Sequence, residues 1–191
     1  MRLLKTLQLL FLVILFNACS EGYIPRPYGY FRVDLPSHEY RMVDTLNLPY
    51  RFELPKNVKL ISHTGGPDRF SIDLHYEKLN ANIFCSYMPV KGNLVNLLED
   101  SRKFVYKHSV RADGISEKAF QNKERNVHGL LYDLKGNTAS SVQFLVTDSA
   151  HHFFRGALYF NNVPNKDSIA PMSNYIREDV IRIMETFEWK K

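Results

Sequence analysis

Residues 171–189, PMSNYIREDVIRIMETFEW, give the strongest indication of the fold. Their apolar side chains recur with the 3.6-residue period of an amphipathic helix: Met172, Tyr175, Ile176, Val180, Ile183, Met184 and Phe187. Pro171 suits the first turn of such a helix, because the N–H that proline lacks would have no partner there. We therefore predict a helix from about Pro171 to Thr186 and a short last strand at Phe187-Glu188-Trp189.

Apolar runs upstream of this helix predict strands joined by short turns. Residues 70–76, FSIDLHY, alternate so that every second side chain is apolar. Lys135-Gly136-Asn137 lies between two later runs and is typical of a hairpin turn. The predicted strands are residues 50–54, 70–76, 82–88, 127–134, 140–147 and 153–160.

A first helix is predicted from about Leu94 to Ser109, where apolar side chains fall on one face and charged ones on the other. About six strands and two main helices predict an α+β fold with a largely antiparallel sheet. The final order of strand, helix and aromatic-ended segment is similar to that of the PsbP/Mog1-like sandwich. Such a likeness concerns the fold and implies nothing about function.

The N-terminus has the features of a lipoprotein signal peptide. Arg2 and Lys5 precede an apolar run from Leu7 to Phe16, which has the length of a signal-peptide core and is shorter than the roughly 20 residues that span a bilayer. Ala18 before Cys19 resembles a lipobox, although Phe16 and Asn17 depart from its usual pattern. We predict a signal peptide over residues 1–18 and lipidation, including palmitate, at Cys19. An uncleaved anchor or an ordinary secretory signal is the alternative.

Residues 19–48 are predicted to form a lipid-anchored extended segment, and residues 49–191 a single globular α+β domain. Three prolines and two glycines between residues 20 and 38 disfavour a helix. Aromatic residues from Tyr23 to Phe31 are denser than in a simple tether, so we expect the segment to dock on the domain or on a partner.

The charge of the chain is only mildly basic. The 191 residues include 25 basic and 20 acidic ones, with a formal net charge of +5, and two of the basic residues precede Cys19. The remaining charges of both signs are interspersed, and the chain has neither a basic stripe nor a zinc-finger spacing. Nucleic-acid binding is therefore not expected.

The two cysteines, Cys19 and Cys85, do not form a disulfide framework if Cys19 is acylated. Cys85 lies in a predicted strand, IFCSY, where a cysteine usually behaves as a small buried hydrophobic residue. A reactive thiol would need a nearby base and partial exposure.

The densest group of reactive side chains is residues 147–156, TDSAHHFFRG. In a hydrolase, Ser149 would be the nucleophile and a histidine its base, but no G-x-S-x-G elbow is present. Asp148 and Ser149 are also typical of a turn between strands, where their side chains bond nearby backbone amides. We favour the turn.

A metal site would combine Asp148, His151, His152 and His108. Neighbouring residues of a strand point to opposite faces, so we expect one of the two adjacent histidines to be packed and the other solvated. His108 is expected on the rim of the apolar face of the first helix. Residues 161–168, NNVPNKDS, are rich in turn and cap formers, and Asp167 or Ser168 is predicted to help to cap the second helix.

Long stretches of the chain resemble the gliding-motility-associated lipoprotein GldD family. They are PYGYFRVDLP at residues 27–36, LEDSR with YKH at residues 98–108, QFLVTDS at residues 143–149, and HFFRGALYFN from residue 152 on to Asp167-Ser168. The resemblance implies a cell-envelope lipoprotein that is needed for gliding, is associated with type IX secretion and acts beside other envelope proteins. Cys19 is the functional position that transfers, and no catalytic residue, metal or cofactor is implied.

We therefore expect a non-enzymatic assembly or stabilising component, held in the outer membrane and facing the periplasm. The aromatic residues from Tyr23 to Phe31, together with Arg155, are candidate partner contacts, because Tyr and Arg often anchor interfaces. The alternative is an envelope hydrolase or ligand-binding lipoprotein that uses the Asp148–His152 region.

Overall fold

The protein is described by a computed structural model over residues 33–44, 47–63, 65–107, 111–163 and 165–190. These residues form ten strands and two α-helices. The strands are β1 (Tyr40–Val43), β2 (Tyr50–Pro55), β3 (Lys59–Ser62), β4 (Ile72–Tyr76), β5 (Ala81–Pro89), β6 (Ala112–Asn122), β7 (Val127–Gly136), β8 (Val142–Thr147), β9 (His152–Phe160) and β10 (Glu188–Trp189). The helices are α1 (Leu94–Lys107) and α2 (Lys166–Thr186).

Seven strands form one antiparallel sheet in the order β3-β4-β5-β9-β8-β7-β6. A small antiparallel sheet joins the two ends of the described chain in the order β1-β2-β10. The predicted α+β fold with a largely antiparallel sheet is thus confirmed.

Strand β9 contributes to two apolar cores on opposite faces of the large sheet. Phe154 and Leu158 pack toward α2 and β2, in a core that also contains Ile176 and Phe52. Phe153 points to the opposite face and packs beneath α1. This alternation follows from the two-residue period of a strand, and it makes the large sheet the middle of three layers.

The helix α1 covers the β7–β9 side of its face of the sheet, where Leu134, Leu145 and Phe153 are buried with its own Val105. On the β3–β5 side of the same face, Ile61 and Phe84 are exposed. This uneven cover leaves a cleft along the side of α1.

The second helix starts earlier than the sequence predicted. Asn165 is its N-cap, and its side-chain oxygen accepts hydrogen bonds from the backbone N–H groups of Asp167 and Ser168. Pro171 therefore lies inside the helix. The prediction that Asp167 or Ser168 provides the cap was wrong, because asparagine at 165 already supplies the acceptor and a further turn fits before the proline.

Three strands were not predicted, and each lies at the edge of a sheet. β1 and β3 have four residues each, too few to show a period. β6 reads ADGISEKAFQN and is mostly exposed, since it pairs on one side only, with β7. Charged residues on an edge strand hinder pairing with other chains, and they also hide the apolar alternation.

Strand β1 lies before residue 49, so a part of the predicted extended segment pairs with β2 in the small sheet. Residues 1–32, with Cys19 and the aromatic residues from Tyr23 to Phe31, lie outside the described residues. None of the helices in the described part is long and apolar enough to cross a membrane.

Candidate functional site

The residues Asp148–His152 form the turn between β8 and β9. One carboxylate oxygen of Asp148 accepts hydrogen bonds from the backbone N–H groups of Ala150, His151 and His152, at 3.0, 2.8 and 2.8 Å. Burial opposes ionisation of Asp148, but these three donors outweigh it and hold the pKa of this carboxyl below its usual value. The carboxylate is thus committed to the backbone of its own turn.

Ser149 occupies the left-handed position of this turn, with a φ of +66°. Its backbone N–H donates to the hydroxyl of Thr147 at 3.0 Å, and its side chain is exposed. Among the described residues, no histidine nitrogen lies within hydrogen-bond distance of its hydroxyl. The turn interpretation of this segment is confirmed, and the arrangement of a nucleophile and its base is not assembled.

The two adjacent histidines have different surroundings, as the sequence indicated. The side chain of His151 is 79% exposed and lies 3.6 Å from the second oxygen of Asp148. The ring of His152 stacks on Trp189 at 4.9 Å, and its Nδ1 lies 2.7 Å from the hydroxyl of Tyr87. Burial lowers the pKa of His152.

No group of three or more His, Cys, Asp or Glu side chains is close enough to hold a metal ion within the described residues. His108 lies outside them. Cys85 is buried in the core, and burial raises the pKa of its thiol well above the usual range. The expectation that Cys85 behaves as a small hydrophobic residue is confirmed.

A cleft of about 190 Å³ opens between α1 and the strands β5, β9 and β8. Phe84 and Phe104 stand on its two sides, and each is about half exposed (47% and 49%). An apolar cavity of about 150 Å³ accepts a benzene ring. The cleft is therefore large enough for a group the size of one amino-acid side chain.

Arg155 of β9 lines this cleft, and its guanidinium lies 4.4 Å from the centre of the Phe104 ring. Burial lowers the pKa of Arg155, while the negative charge of Asp100 on α1 opposes that shift. Asp100 itself pairs with Lys103 at 3.3 Å. Arg155 makes no ion pair with any carboxylate of the described residues.

Two buried polar side chains of the same cleft also have no hydrogen-bond partner among the described residues. They are Gln143 of β8 and Ser101 of α1, which are 6% and 5% exposed, and the atoms concerned are Nε2 and Oγ. A buried polar atom without a partner costs about 1–3 kcal/mol. An unpaired buried polar group in a native protein calls for an explanation, and a bound water or ligand is one.

A small residue, Ala157, makes room for the cleft. Gly156, which follows Arg155, faces the other side of the sheet, where a Cβ built at this glycine would come within 2.7 Å of the Phe144 ring. Ala157 lies directly between Phe84 and Gln143 in the strand register. Of these residues, the sequence singled out Arg155 only. The others were missed because they come from distant segments, and an arginine between apolar residues in FFRGALYF was the one local signal.

The molecule is thus an α+β domain with a cleft between a helix and its sheet, lined by aromatic rings and a few polar side chains. The family described as gliding motility lipoprotein GldD matches residues 20–189. The chain therefore belongs to the GldD family of gliding motility lipoproteins, with a role in gliding motility and a lipid-anchored location in the cell envelope.

The fold is also similar to the solution structure of cyanobacterial PsbP (CyanoP) from Synechocystis sp. PCC 6803. The TM-score is 0.49 at 10% sequence identity, over 83% of this chain and 96% of that one. A likeness this distant says nothing about activity. No curated protein matches the chain.

Proposed function

We propose that this protein is a non-enzymatic component that assembles or stabilises the gliding machinery and the associated type IX secretion machinery. Its anchor is the acylated Cys19, left at the N-terminus when a signal peptide of residues 1–18 is removed. Its partners are other envelope proteins, and its site is the outer membrane, with the domain facing the periplasm. No cofactor or metal takes part.

The observation that carries this proposal is the contrast between two places on the domain. At the Asp148–His152 turn, the carboxylate of Asp148, which a hydrolase would use, accepts hydrogen bonds from three backbone amides. In the cleft beside α1, by contrast, Arg155 makes no ion pair and the buried amide nitrogen of Gln143 has no hydrogen-bond partner among the described residues. The polar groups without partners among the described residues thus line the cleft, whereas the side chain of Asp148 stabilises the turn to which it belongs.

Anchoring through Cys19 has a simple physical basis. The sulfur carries a diacylglycerol through a thioether, and the amine freed by cleavage accepts a third chain. One acyl chain gives only reversible binding to a membrane, whereas two or more hold a protein there stably, at about 0.8 kcal/mol per buried methylene. A serine at this position has no thiolate with which to form the thioether.

The anchor is tested by replacing each cysteine in turn in cells that lack the native gene. Cys19→Ser is expected to accumulate as a larger, unprocessed protein that takes up no labelled palmitate. Cys85→Ala is the matched control, since it removes the other cysteine, and it should be processed and labelled like the native protein. Normal size and labelling of Cys19→Ser would overturn the proposed anchor.

The role in both processes is tested by deleting the gene and measuring gliding speed and the secretion of a type IX substrate. We expect both to fail, and both to return with the native gene. Loss of gliding with intact secretion would restrict the proposal to gliding. Density-gradient separation of the two membranes, with protease added to intact cells, tests the location: the protein should follow the outer membrane and stay protected.

A further inference from the structure

We propose that the cleft between α1 and the large sheet is a binding site for a carboxylate that carries an aromatic or aliphatic group. The purpose of such binding in the cell rests on the proposed assembly role, whereas the binding itself does not. The observations that support the site are the unpaired donors of the cleft, its apolar walls and its size.

The donors of the cleft come from residues of three elements that line one space. Arg155 of β9 provides a planar guanidinium, Gln143 of β8 an amide nitrogen, and Ser101 of α1 a hydroxyl. Gln143 and Ser101 are more than nine-tenths buried, and the structure shows no hydrogen bond from either to a described residue. A ligand oxygen would therefore satisfy groups that the fold leaves unpaired.

The charge of the site fits one negative charge. Arg155 is the cation that lines the cleft, and the other polar lining groups named here are neutral. A guanidinium matches a carboxylate through two parallel N–H···O bonds, which fixes the orientation of the ligand as well as its charge. Asp100 is near enough to affect Arg155 but makes no ion pair with it, and it pairs with Lys103 instead.

The walls of the cleft fit an apolar group beside the carboxylate. Phe84 and Phe104 are half exposed on opposite sides, and Phe104 already packs under the guanidinium of Arg155. Phe84 also lies 5.8 Å from Tyr159, ring centre to ring centre. Exposed rings beside a partly buried charge favour a ligand with an aromatic or aliphatic part, since the ring faces lose water when it binds.

Two sources could carry this chemistry, a polypeptide chain end and a free small acid. N-acetyl-L-phenylalanine imitates the chain end, 3-phenylpropanoate imitates the small acid, and N-acetyl-L-phenylalaninamide lacks the charge. Each is titrated calorimetrically into the full-length protein in detergent micelles. Saturable binding of either acid, at least about tenfold tighter than the amide, supports the site, and the tighter acid identifies the source. If neither acid saturates, or if the amide binds equally well, the proposal is overturned.

Arg155→Gln should weaken binding of the better acid at least about tenfold, and Arg155→Lys should give an intermediate value, since it keeps the charge but not the planar fork. Arg41→Gln is the matched control. It removes the same charge from an exposed position on β1 and should bind like the native protein. Equal weakening by Arg155→Gln and Arg41→Gln would show a general charge effect and overturn the site.

Gln143→Met gives a second test that does not depend on a damaged fold. It keeps the volume but removes a buried amide that lacks a partner among the described residues, so stability should be unchanged or higher while binding weakens several-fold. Undiminished binding by Gln143→Met would remove this residue from the site. If the variant binds weakly and cells that carry it still glide normally, the site exists but does not serve the proposed function. Normal gliding after gene deletion refutes that function whatever the cleft binds.

Discussion

The Nδ1 atom of His38 lies 2.8 Å from an oxygen of Asp179, and this contact ties the segment before β1 to the helix α2. The hydroxyl of Tyr40 donates to the same oxygen at 2.9 Å, and the ring of His38 stacks on Tyr175 at 4.2 Å. Asp179 is fully buried. The chain that leads from Cys19 toward the domain is therefore fastened at a defined point, about 20 residues after the proposed anchor.

The first prediction concerns this attachment. His38→Ala should speed amide hydrogen exchange in residues 38–43. The folded segment loses about 1–3 kcal/mol of stability relative to its locally open state, so it opens more often. Lys56→Ala is the control, since the Lys56–Glu39 pair is exposed on both sides (61% and 64%) and such pairs contribute little. Equal exchange in the two variants would show that His38 does not hold the segment.

The second prediction concerns the pH dependence of stability at Asp179. Burial raises its pKa, and the bonds from His38 and Tyr40 oppose the shift without cancelling it. The folded state then binds a proton more tightly than the unfolded state, so this contribution to stability is complete below about pH 3.9 and falls as pH rises through the folded pKa. In urea titrations, the stability of the native protein relative to Asp179→Asn should decrease as pH rises from that value. A relative stability that increases would contradict the burial argument.

The third prediction concerns the close contact beneath the cleft. Gly156→Ala would place its Cβ within 2.7 Å of the ring of Phe144, which is itself buried and cannot move freely. We expect a loss of about 1–3 kcal/mol in the free energy of unfolding, as for other overpacked cores. At Gly114 on the edge strand β6, a Cβ would meet nothing within 4 Å, so Gly114→Ala should be neutral or slightly stabilising. Thermal melting of both variants checks this, and equal melting temperatures would refute the packing explanation.

The fourth prediction separates structure from chemistry in the turn between β8 and β9. Asp148→Ala leaves three backbone N–H groups without their acceptor and should lower stability by about 2–3 kcal/mol. Ser149→Gly should be neutral or stabilise the protein by up to about 1 kcal/mol, because glycine adopts a φ of +66° without the cost that serine bears. Urea unfolding measures both effects. A strongly destabilised Ser149→Gly would mean that the hydroxyl has a structural role that the turn does not show.

Periodic segments of this fold were predictable, and features that depend on distant residues were not. The alternation in β4 and the long apolar run of β9 are set by local burial, so the sequence alone revealed them. The strand β6 was missed, since an exposed edge strand carries polar residues on both faces. The cleft was missed because Ser101 and Gln143 meet only after α1 packs on β8, and neither residue is unusual in its own segment.

The start of α2 shows a different kind of failure. Pro171 suits the first turn of a helix, so the sequence predicts the helix start there. Asn165 provides the actual cap, and the extra turn before the proline contributes the buried Ile169. Two local signals competed here, and the burial of a side chain decided between them.

We propose that the protein works by being anchored and by binding, and not by chemistry at the β8–β9 turn. The gliding speed of cells in which the native gene is replaced by one of two variants tests this claim. Cells that carry Cys19→Ser should not glide, whereas cells that carry Ser149→Gly with His151→Gln should glide at native speed. Native gliding with Cys19→Ser, or loss of gliding in a double variant that is still folded and present at native levels, would contradict the claim.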